Sequence, residues 1–131
     1  MGILGVGVDV VHLPRIAALI NRRTAPRLAS RILSTTELEQ WRDLSGADPQ
    51  RQTSFLAVRW SLKEAAYKAV FPHVHPTWKE FTYHGLNNES RLKPTLAYHP
   101  LSRIEHNVGK IHCSVSHDGE YVFTTVLVEG C

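Results

Sequence analysis

The segment QTSFLAVRWSLKEAAYKAVF, residues 52–71, predicts one long helix, and no other feature of the sequence restricts the fold as much. Its apolar side chains recur at intervals of three and four residues and therefore form one stripe along the helix. The members of that stripe are Phe55, Val58, Leu62, Ala65, Ala66 and Ala69. Pro72 ends the helix, and the polar break SGADPQ precedes it. The rest of the chain must supply the surface that covers this stripe.

Residues 2–11, GILGVGVDVV, predict a first strand. The valines favour extended backbone, and the glycines between them let another element approach the backbone closely. Because side chains alternate along a strand, we expect Asp9 to point away from the core-facing set. That set consists of Ile3, Val6, Val8 and Val10. This N-terminal segment lacks a basic leader and is apolar over only a few residues, so we expect neither a secretory signal nor a membrane span.

Two shorter helices are predicted between this strand and the long helix. The first starts near Pro14 and continues through RIAALINRR, whose paired arginines suit a helix C-terminus. The second starts after Ser34 or Thr35, because Glu37 follows Ser34 by three residues and completes a capping-box pattern.

The C-terminal half is rich in strand patterns. Short strands are predicted at about residues 81–84 and 95–98, with a turn around residues 85–88 between them. The segment HPLSRIEHNVG predicts a short helix, and KIHCSVSHDGEYVFTTVLVE predicts a hairpin that turns at HDGE. We therefore predict an α+β fold, with one long central helix on a mainly antiparallel sheet, in a single domain over residues 1–131.

Composition limits the partners only loosely. Fifteen lysines and arginines against twelve acidic residues give a net charge of +3 and a pI near 9.1. This excess favours phosphates, acidic proteins or nucleic acids as partners, although solubility alone would also explain it. Cys113 and Cys131 form neither a disulfide framework nor a zinc spacing, so a reducing compartment is expected.

The long helix carries an unusual charged face. On a helical wheel Trp60, Glu64 and Lys68 share one side, and Arg59 and Lys63 flank it. A Glu–Lys pair four residues apart is the ordinary ion pair of a helix surface. That pair explains neither an aromatic residue on a wet face nor the excess of cations around one carboxylate. The combination suits a metal together with a phosphate.

Two acidic residues are candidates for such a metal. Mg²⁺ prefers oxygen ligands and is usually held by one or two carboxylates together with substrate phosphates, so Glu64 and Asp9 are the predicted pair. Asp9 could instead cap a turn or pair with an arginine. Near the end of the penultimate strand, Ser114, Ser116 and His117 could donate hydrogen bonds to phosphate oxygens, or could be ordinary polar residues of a hairpin.

Three separated segments, GVGVDVV, FLAVRWSLKEA and VSHDGEY, stand in an order and spacing that resemble the 4′-phosphopantetheinyl transferases of the holo-acyl-carrier-protein synthase type. The match spans nearly the whole chain, and its length agrees with the short stand-alone class. The resemblance implies Mg²⁺-dependent transfer of the phosphopantetheine arm of coenzyme A to a serine of an apo acyl carrier protein, with release of adenosine 3′,5′-bisphosphate.

The resemblance also implies roles for individual residues. Asp9 and Glu64 match the metal ligands. Arg59, Lys63 and Lys68 match positions that contact the phosphates of the coenzyme, and Glu64 and Lys68 are the predicted catalytic residues. Either Glu64 or a metal-bound water would take the proton of the acceptor serine, and the sequence does not choose between them.

The strand-end motif completes the predicted coenzyme site. Ser116 and His117 match residues near the coenzyme, and His117 is expected to hold the ribose phosphate. Short members of the family are trimers with active sites between neighbouring subunits, so a homotrimer is expected. Because carrier proteins are acidic, Arg15, Arg22 and Arg23 of the first helix form the predicted docking surface.

Some segments depart from the bacterial pattern. Trp60 stands where many bacterial relatives have phenylalanine, and residues 72–81 and 84–96 differ from the shorter bacterial middle segment. This favours a fungal source slightly. A fungal protein would serve a mitochondrial carrier protein, and a bacterial one would be cytoplasmic.

The residues taken alone also fit two other function classes. A small basic nucleic-acid-binding domain would use the arginine-rich first third of the chain and would need neither Asp9 nor Glu64. A non-catalytic module that binds carrier proteins would keep the fold without turnover. The resemblance favours the enzyme over both, with neither nucleic acid nor membrane among its partners.

Overall fold

The computed structural model describes residues 2–22, 25–44, 46, 48–85, 93–101 and 106–131. Its helices are α1 (Leu13–Arg22), α2 (Ala25–Ile32), α3 (Thr35–Asp43) and α4 (Pro49–Val70), with a short 3₁₀ turn at Trp78–Glu80. Its strands are β1 (Ile3–His12), β2 (Phe81–His84), β3 (Thr95–Tyr98), β4 (Val108–Asp118) and β5 (Tyr121–Gly130). The predicted α+β class is confirmed. No helix within these residues is long and apolar enough to cross a membrane.

Two antiparallel sheets form the β part of the fold. The larger sheet has the order β1-β5-β4, and the smaller one pairs β2 with β3. In the larger sheet, Asp9 of β1 and Val115 of β4 both stand opposite Thr124 of the central strand β5. The register therefore brings the N-terminal strand and the C-terminal hairpin, which are far apart in sequence, into one surface.

Helix α4 packs on β1 and β5, and glycines make this packing close. A Cβ atom built on Gly5 would overlap the carbonyl oxygen of Ala69, and one built on Gly7 would overlap that of Ala65. The alanines on the helix and the glycines on the strand are therefore matched in size. The stripe predicted on α4 faces this contact, with Val58, Leu62, Ala65, Ala66 and Ala69 all buried and Phe55 partly buried.

The predicted facing of β1 is wrong. The four residues predicted to face the core are exposed: Ile3 by 65%, Val6 and Val8 by 53% and Val10 by 50%. Asp9 instead lies on the helix side of the strand together with Gly7 and its close contact. The physical reason is that α4 can approach only the glycine-bearing face, and alternation then turns the valines away.

The helix boundaries mostly follow the predictions. The capping box of α3 is present, with the Ser34 amide donating to Glu37 Oε1 at 2.9 Å and the Glu37 amide donating to Ser34 Oγ at 3.4 Å. Helix α4 starts earlier than predicted, at Pro49, because Asp48 caps it by accepting a hydrogen bond from the Gln50 amide. Helix α2 was not predicted.

The strand predictions in the C-terminal half are confirmed at Phe81–His84 and Thr95–Tyr98. The HDGE turn joins β4 to β5 and places Gly119 at φ +57°, a backbone conformation that glycine adopts without steric cost. Most of the predicted turn at 85–88, and residues 102–105 of the predicted short helix, lie outside the described residues.

Replacing Gly7 with alanine tests the close packing of α4 on β1. The new methyl group would displace the helix backbone at Ala65, so we expect a loss of about 1–3 kcal/mol or more in the free energy of unfolding. Denaturant titration measures this loss. Gly2→Ala is the matched control, since a Cβ there meets nothing within 4 Å and the change should stay within about 0.5 kcal/mol. Equal stability of the two variants would contradict the packing described.

Candidate active site

Asp9 is held where β1 passes under α4. Ser61 Oγ donates to Asp9 Oδ2 at 2.9 Å and lies 2.7 Å from Thr124 Oγ1. Lys68 Nζ lies 3.4 Å from Asp9 Oδ1 and donates to the backbone carbonyl of Val8 at 3.0 Å. The Asp9 side chain is 15% exposed, whereas that of Lys68 is 53% exposed. The carboxylate is thus fixed at the edge of the core, and the amine beside it reaches solvent.

Glu64 shares this environment. Burial raises its pKa, and the negative charge of Asp9 raises it further, while Lys68 and a hydrogen bond from Trp78 act in the opposite direction. Asp9 and Glu64 are therefore close enough for their charges to repel. Lys68 relieves part of this repulsion, and a further positive charge between the carboxylates would relieve more. The structure thus brings together Asp9, Glu64 and Lys68.

The donor set fits Mg²⁺ better than a metal held by protein ligands alone. Within the described ranges, no group of three or more His, Cys, Asp or Glu side chains is arranged to hold a metal ion. Two carboxylates on a partly solvated face match the usual mode of Mg²⁺ binding, in which waters and substrate phosphates supply the other ligands. Asp9 and Glu64 are the residues that would hold it.

Trp60 packs against another tryptophan. The ring centroids of Trp60 and Trp78 are 5.0 Å apart with an interplanar angle of 48°, which explains an aromatic residue on the charged side of the helix. Trp78, Glu64 and Tyr67 also line an open groove of about 480 Å³, together with Arg31, Pro76 and Thr77. The acidic pair therefore has a partly apolar groove beside it.

A larger pocket of about 810 Å³ lies between α4 and β4. Its cationic lining comes from Arg51, Arg59 and Lys93, with His117 beside them and Asp48 as the acidic residue among the lining side chains. Such a surplus of positive charge favours an anion. This pocket shares no lining residue with the Asp9, Glu64 and Lys68 cluster, so α4 presents a carboxylate site and a cationic pocket separately.

Arg59 is the most enclosed cation of this pocket. Its Cζ atom lies 3.4 Å from the centroid of the Phe55 ring and 5.2 Å from that of Tyr83. Its Nη1 donates to the Phe55 carbonyl at 3.1 Å. Burial lowers the pKa of Arg59 to about 10, and nearby Glu37 opposes that shift. The guanidinium therefore stays charged at neutral pH while it is held against an aromatic ring.

The prediction that Lys63 contacts phosphate is wrong. The side chain is fully buried, and its Nζ donates to the Ile32 carbonyl at 2.8 Å and to Glu37 Oε1. Burial lowers the pKa of Lys63, and Glu37 offsets part of that effect. The physical reason is that α2 and α3 cover this side of α4 and supply the acceptors, which a wheel of the single helix does not show.

Ser116 and His117 were predicted to act together, but they lie on opposite faces of the sheet because side chains alternate along β4. His117 lines the cationic pocket beside Arg59. Ser116 stands opposite Phe123 on the other, exposed face of the sheet, and it is not among the residues that line the pocket. Of the predicted docking arginines, Arg15 and Arg22 are exposed on α1, and Arg23 lies outside the described residues.

Sequence reasoning missed Ser61, Trp78, Arg51 and Lys93. Ser61 could have been noticed as a polar residue next to the apolar stripe, three positions before Glu64. Trp78 could have been sought as the partner that Trp60 requires. Arg51 and Lys93 carry no local signal, because only the tertiary fold brings their segments to the same pocket.

Lys63 and Lys68 offer a matched comparison on one helix. Lys63→Met leaves the Glu37 carboxylate buried without its closest cation, so we expect a loss of about 3–5 kcal/mol in the free energy of unfolding. Lys68→Met removes a partly exposed pair and should cost less than about 1 kcal/mol. Denaturant unfolding of both variants measures the difference. A small effect at Lys63 would show that its amine is not buried against Glu37.

The chain is similar to known proteins over almost its whole length. A family model described as the 4′-phosphopantetheinyl transferase superfamily matches residues 5–126. The chain is 34% identical over 132 residues to a Yersinia pestis (strain Pestoides F) protein named holo-[acyl-carrier-protein] synthase, a match that covers 98% of this chain and 99% of that protein.

Solved structures of similarly named proteins share the fold. A holo-[acyl-carrier-protein] synthase from Neisseria meningitidis is 29% identical, with a TM-score of 0.78 over 97% of this chain and 98% of that one. A Bacillus anthracis holo-(acyl-carrier-protein) synthase in complex with CoA (3′,5′-ADP) is 26% identical, with a TM-score of 0.75 over 100% of both chains. The chain therefore belongs to the 4′-phosphopantetheinyl transferase superfamily, as the resemblance of its three motifs implies.

Proposed function

We propose that the protein is a holo-[acyl-carrier-protein] synthase, which transfers the 4′-phosphopantetheine arm of coenzyme A to a serine hydroxyl of an apo acyl carrier protein. The observation that carries this proposal is the placement of Asp9, Glu64 and Lys68 in one cluster between β1 and α4. The family membership and the similarly named relatives, matched over almost their whole length, support it.

The reaction exchanges one phosphorus–oxygen bond for another. The serine oxygen of the carrier protein attacks the phosphorus that bears the pantetheine arm, and the bond from this phosphorus to the bridging oxygen of the diphosphate breaks. Adenosine 3′,5′-bisphosphate leaves with the bridging oxygen, and the serine proton passes to a base. The protein must therefore align the two substrates and stabilise charge on the leaving phosphate.

The carboxylate cluster, together with Ser61, meets these needs with four side chains. Bound Mg²⁺ would supply positive charge to the diphosphate, and Asp9 and Glu64 would hold it. Ser61 and Lys68 keep Asp9 in place, and the exposed amine of Lys68 is available to a phosphate oxygen. The proton of the acceptor serine would pass either to Glu64 or to a water on the bound metal.

The cationic pocket suits the nucleotide end of coenzyme A. We assign the ribose phosphate to this pocket, where Arg59 and His117 lie together with Arg51 and Lys93. A charged guanidinium gives stronger hydrogen bonds to phosphate oxygens than neutral donors do. Lys63 has no part in this assignment because Glu37 occupies its amine.

Two features support a complete active site built from two copies of the chain in a homotrimer. In one chain the carboxylate cluster and the cationic pocket share no residue. The sheet also exposes an apolar face, formed by Val6, Val8 and Val10 of β1 and by Phe123 of β5, which a monomer would leave in water. A neighbouring copy that covers this face could bring its own pocket to the carboxylate cluster.

The first helix offers a surface for the carrier protein. Arg15 and Arg22 are exposed on α1, which directly follows β1 and therefore begins close to Asp9 in the chain. An acidic carrier protein would be attracted to these cations and would approach the site from this side. As for the compartment, we propose a reducing one, mitochondrial for a fungal source and cytoplasmic for a bacterial source.

Glu64→Gln tests the carboxylate cluster directly. Mixing the protein with Mg²⁺, coenzyme A and an apo acyl carrier protein should add one phosphopantetheine arm to the carrier, as measured by mass spectrometry, and the variant should lose this activity. In metal-free buffer the variant should melt higher than the native protein, because burial and the charge of Asp9 raise the pKa of Glu64, so its charged form is less favourable in the folded state than in the unfolded chain.

The thermal measurement separates loss of function from loss of fold. Added Mg²⁺ should raise the melting temperature of the native protein and leave that of Glu64→Gln unchanged. An inactive variant that also melts lower than the native protein would show only a folding defect. A fully active variant would exclude Glu64 from the site, and an inactive native protein would favour the non-catalytic binding module.

Mixed assemblies test the sharing of sites between copies. Glu64→Gln lacks the carboxylate, and Arg59→Met lacks the enclosed guanidinium, so each variant alone should be poorly active. Refolding the two together should restore activity, because about one quarter of the sites in a randomly mixed cyclic trimer combine two intact halves. No gain over the separate variants would show that each site is built within one chain.

A further inference from the structure

We propose that Glu37 is a positioning residue for nucleotide recognition, which acts by holding Arg59 in the cationic pocket. This inference rests on the proposed function, since it concerns the ribose phosphate of coenzyme A. Glu37 lies on α3 and is not among the residues that line the pocket. Its effect on the ligand would therefore pass through another side chain.

The Glu37 carboxylate is fully buried, and each of its two oxygens has polar partners among the described residues. Oε1 accepts hydrogen bonds from the Ser34 amide at 2.9 Å and from Lys63 Nζ. Oε2 accepts a hydrogen bond from the Tyr83 amide at 2.9 Å and lies 4.0 Å from Arg59 Nε. One side chain therefore connects the start of α3, two turns of α4 and strand β2.

The charges of Glu37, Lys63 and Arg59 do not cancel. Glu37 carries one negative charge, and the buried Lys63 amine, its closest cation, balances it. Arg59 is the second cation of the cluster, so one positive charge remains. Because Arg59 also lines the cationic pocket, this uncompensated charge lies where a phosphate would enter.

The Nε atom of Arg59 shows why the placement depends on Glu37. Among the described residues it is the one buried side-chain nitrogen or oxygen without a hydrogen-bond partner. A buried N–H group without any acceptor is costly, and the carboxylate of Glu37 is the negative group that faces this one. If that charge were removed, the guanidinium would gain by turning towards water and would leave the Phe55 ring.

The rest of the guanidinium is arranged for an incoming anion. The Phe55 ring covers one face, and one Nη1 hydrogen binds the Phe55 carbonyl. Among the described residues the remaining Nη hydrogens have no acceptor, so they can donate to the pocket in the planar fork that suits two phosphate oxygens. The negative charge of Glu37 thus attracts the inner edge of the guanidinium while the outer edge stays available.

The test compares two nucleotides that differ only in the ribose phosphate. Calorimetric titration in the presence of Mg²⁺ gives the affinities for adenosine 3′,5′-bisphosphate and for adenosine 5′-monophosphate. The native protein should prefer the bisphosphate, and Arg59→Met should reduce that preference by about tenfold or more. Glu37→Gln should reduce it by a similar factor while it leaves the affinity for the monophosphate unchanged.

Two further variants separate positioning from folding. Glu37→Gln leaves Lys63 buried without its partner, so the double variant Glu37→Gln with Lys63→Met removes both charges of the pair and should keep the fold. Thr82→Val is the matched structural control, because it breaks the buried 2.8 Å hydrogen bond to Ser34 Oγ without touching Arg59. This control should lower the melting temperature and keep the nucleotide preference.

The outcomes are distinct. A loss of preference in the double variant together with normal preference in Thr82→Val supports the positioning role. Native preference in the double variant, with loss in Arg59→Met, overturns the role of Glu37 and leaves the proposed function intact. An equal loss of affinity for both nucleotides would also overturn it. A native protein that does not distinguish the nucleotides would instead refute the assignment of the ribose phosphate to this pocket.

Discussion

The contact between glycines of β1 and alanines of α4 is the constraint on which the rest of the structure depends. It brings the helix so close to the strand that a side chain as short as Ser61 reaches Asp9, and Lys68 reaches both Asp9 and the backbone of Val8. Larger residues at the contact would separate these groups. The acidic cluster is therefore a product of backbone packing, and its precision comes from residues without functional groups.

Charged side chains lie on both sides of α4, and they differ in how far the protein itself neutralises them. Glu37 and Lys63 neutralise each other in the interior, where an unpaired charge would be strongly unfavourable. Glu64 and Arg59 keep charges that the protein itself does not fully balance, as the raised pKa of the first and the lowered pKa of the second indicate. Residues whose charge must be balanced by a ligand are expected at a binding site. There an unbalanced charge lowers the stability of the free protein but favours binding.

The sequence predicts the positions of the helices and strands better than it predicts which face of each one packs against the core. Residues 81–84 and 95–98, the capping box at Ser34 and the long helix follow from local patterns, which act over a few residues. The facing of β1 does not, because α4 can approach only the glycine-bearing face of the strand, and a pattern of alternating valines does not show which face a helix covers. Lys63 was misplaced for a related reason, since its acceptors come from α2 and α3 and no local pattern shows them.

The contact between Lys68 and strand β1 also bears on solubility. Strand β1 is at the edge of the larger sheet, and such edges offer unpaired backbone groups to other chains. The Lys68 amine occupies the Val8 carbonyl on this strand and adds a positive charge beside it, which opposes the addition of a foreign strand. A lysine drawn away by a phosphate would uncover that carbonyl. A phosphate bound by Lys68 would therefore compete with the edge strand for the same amine.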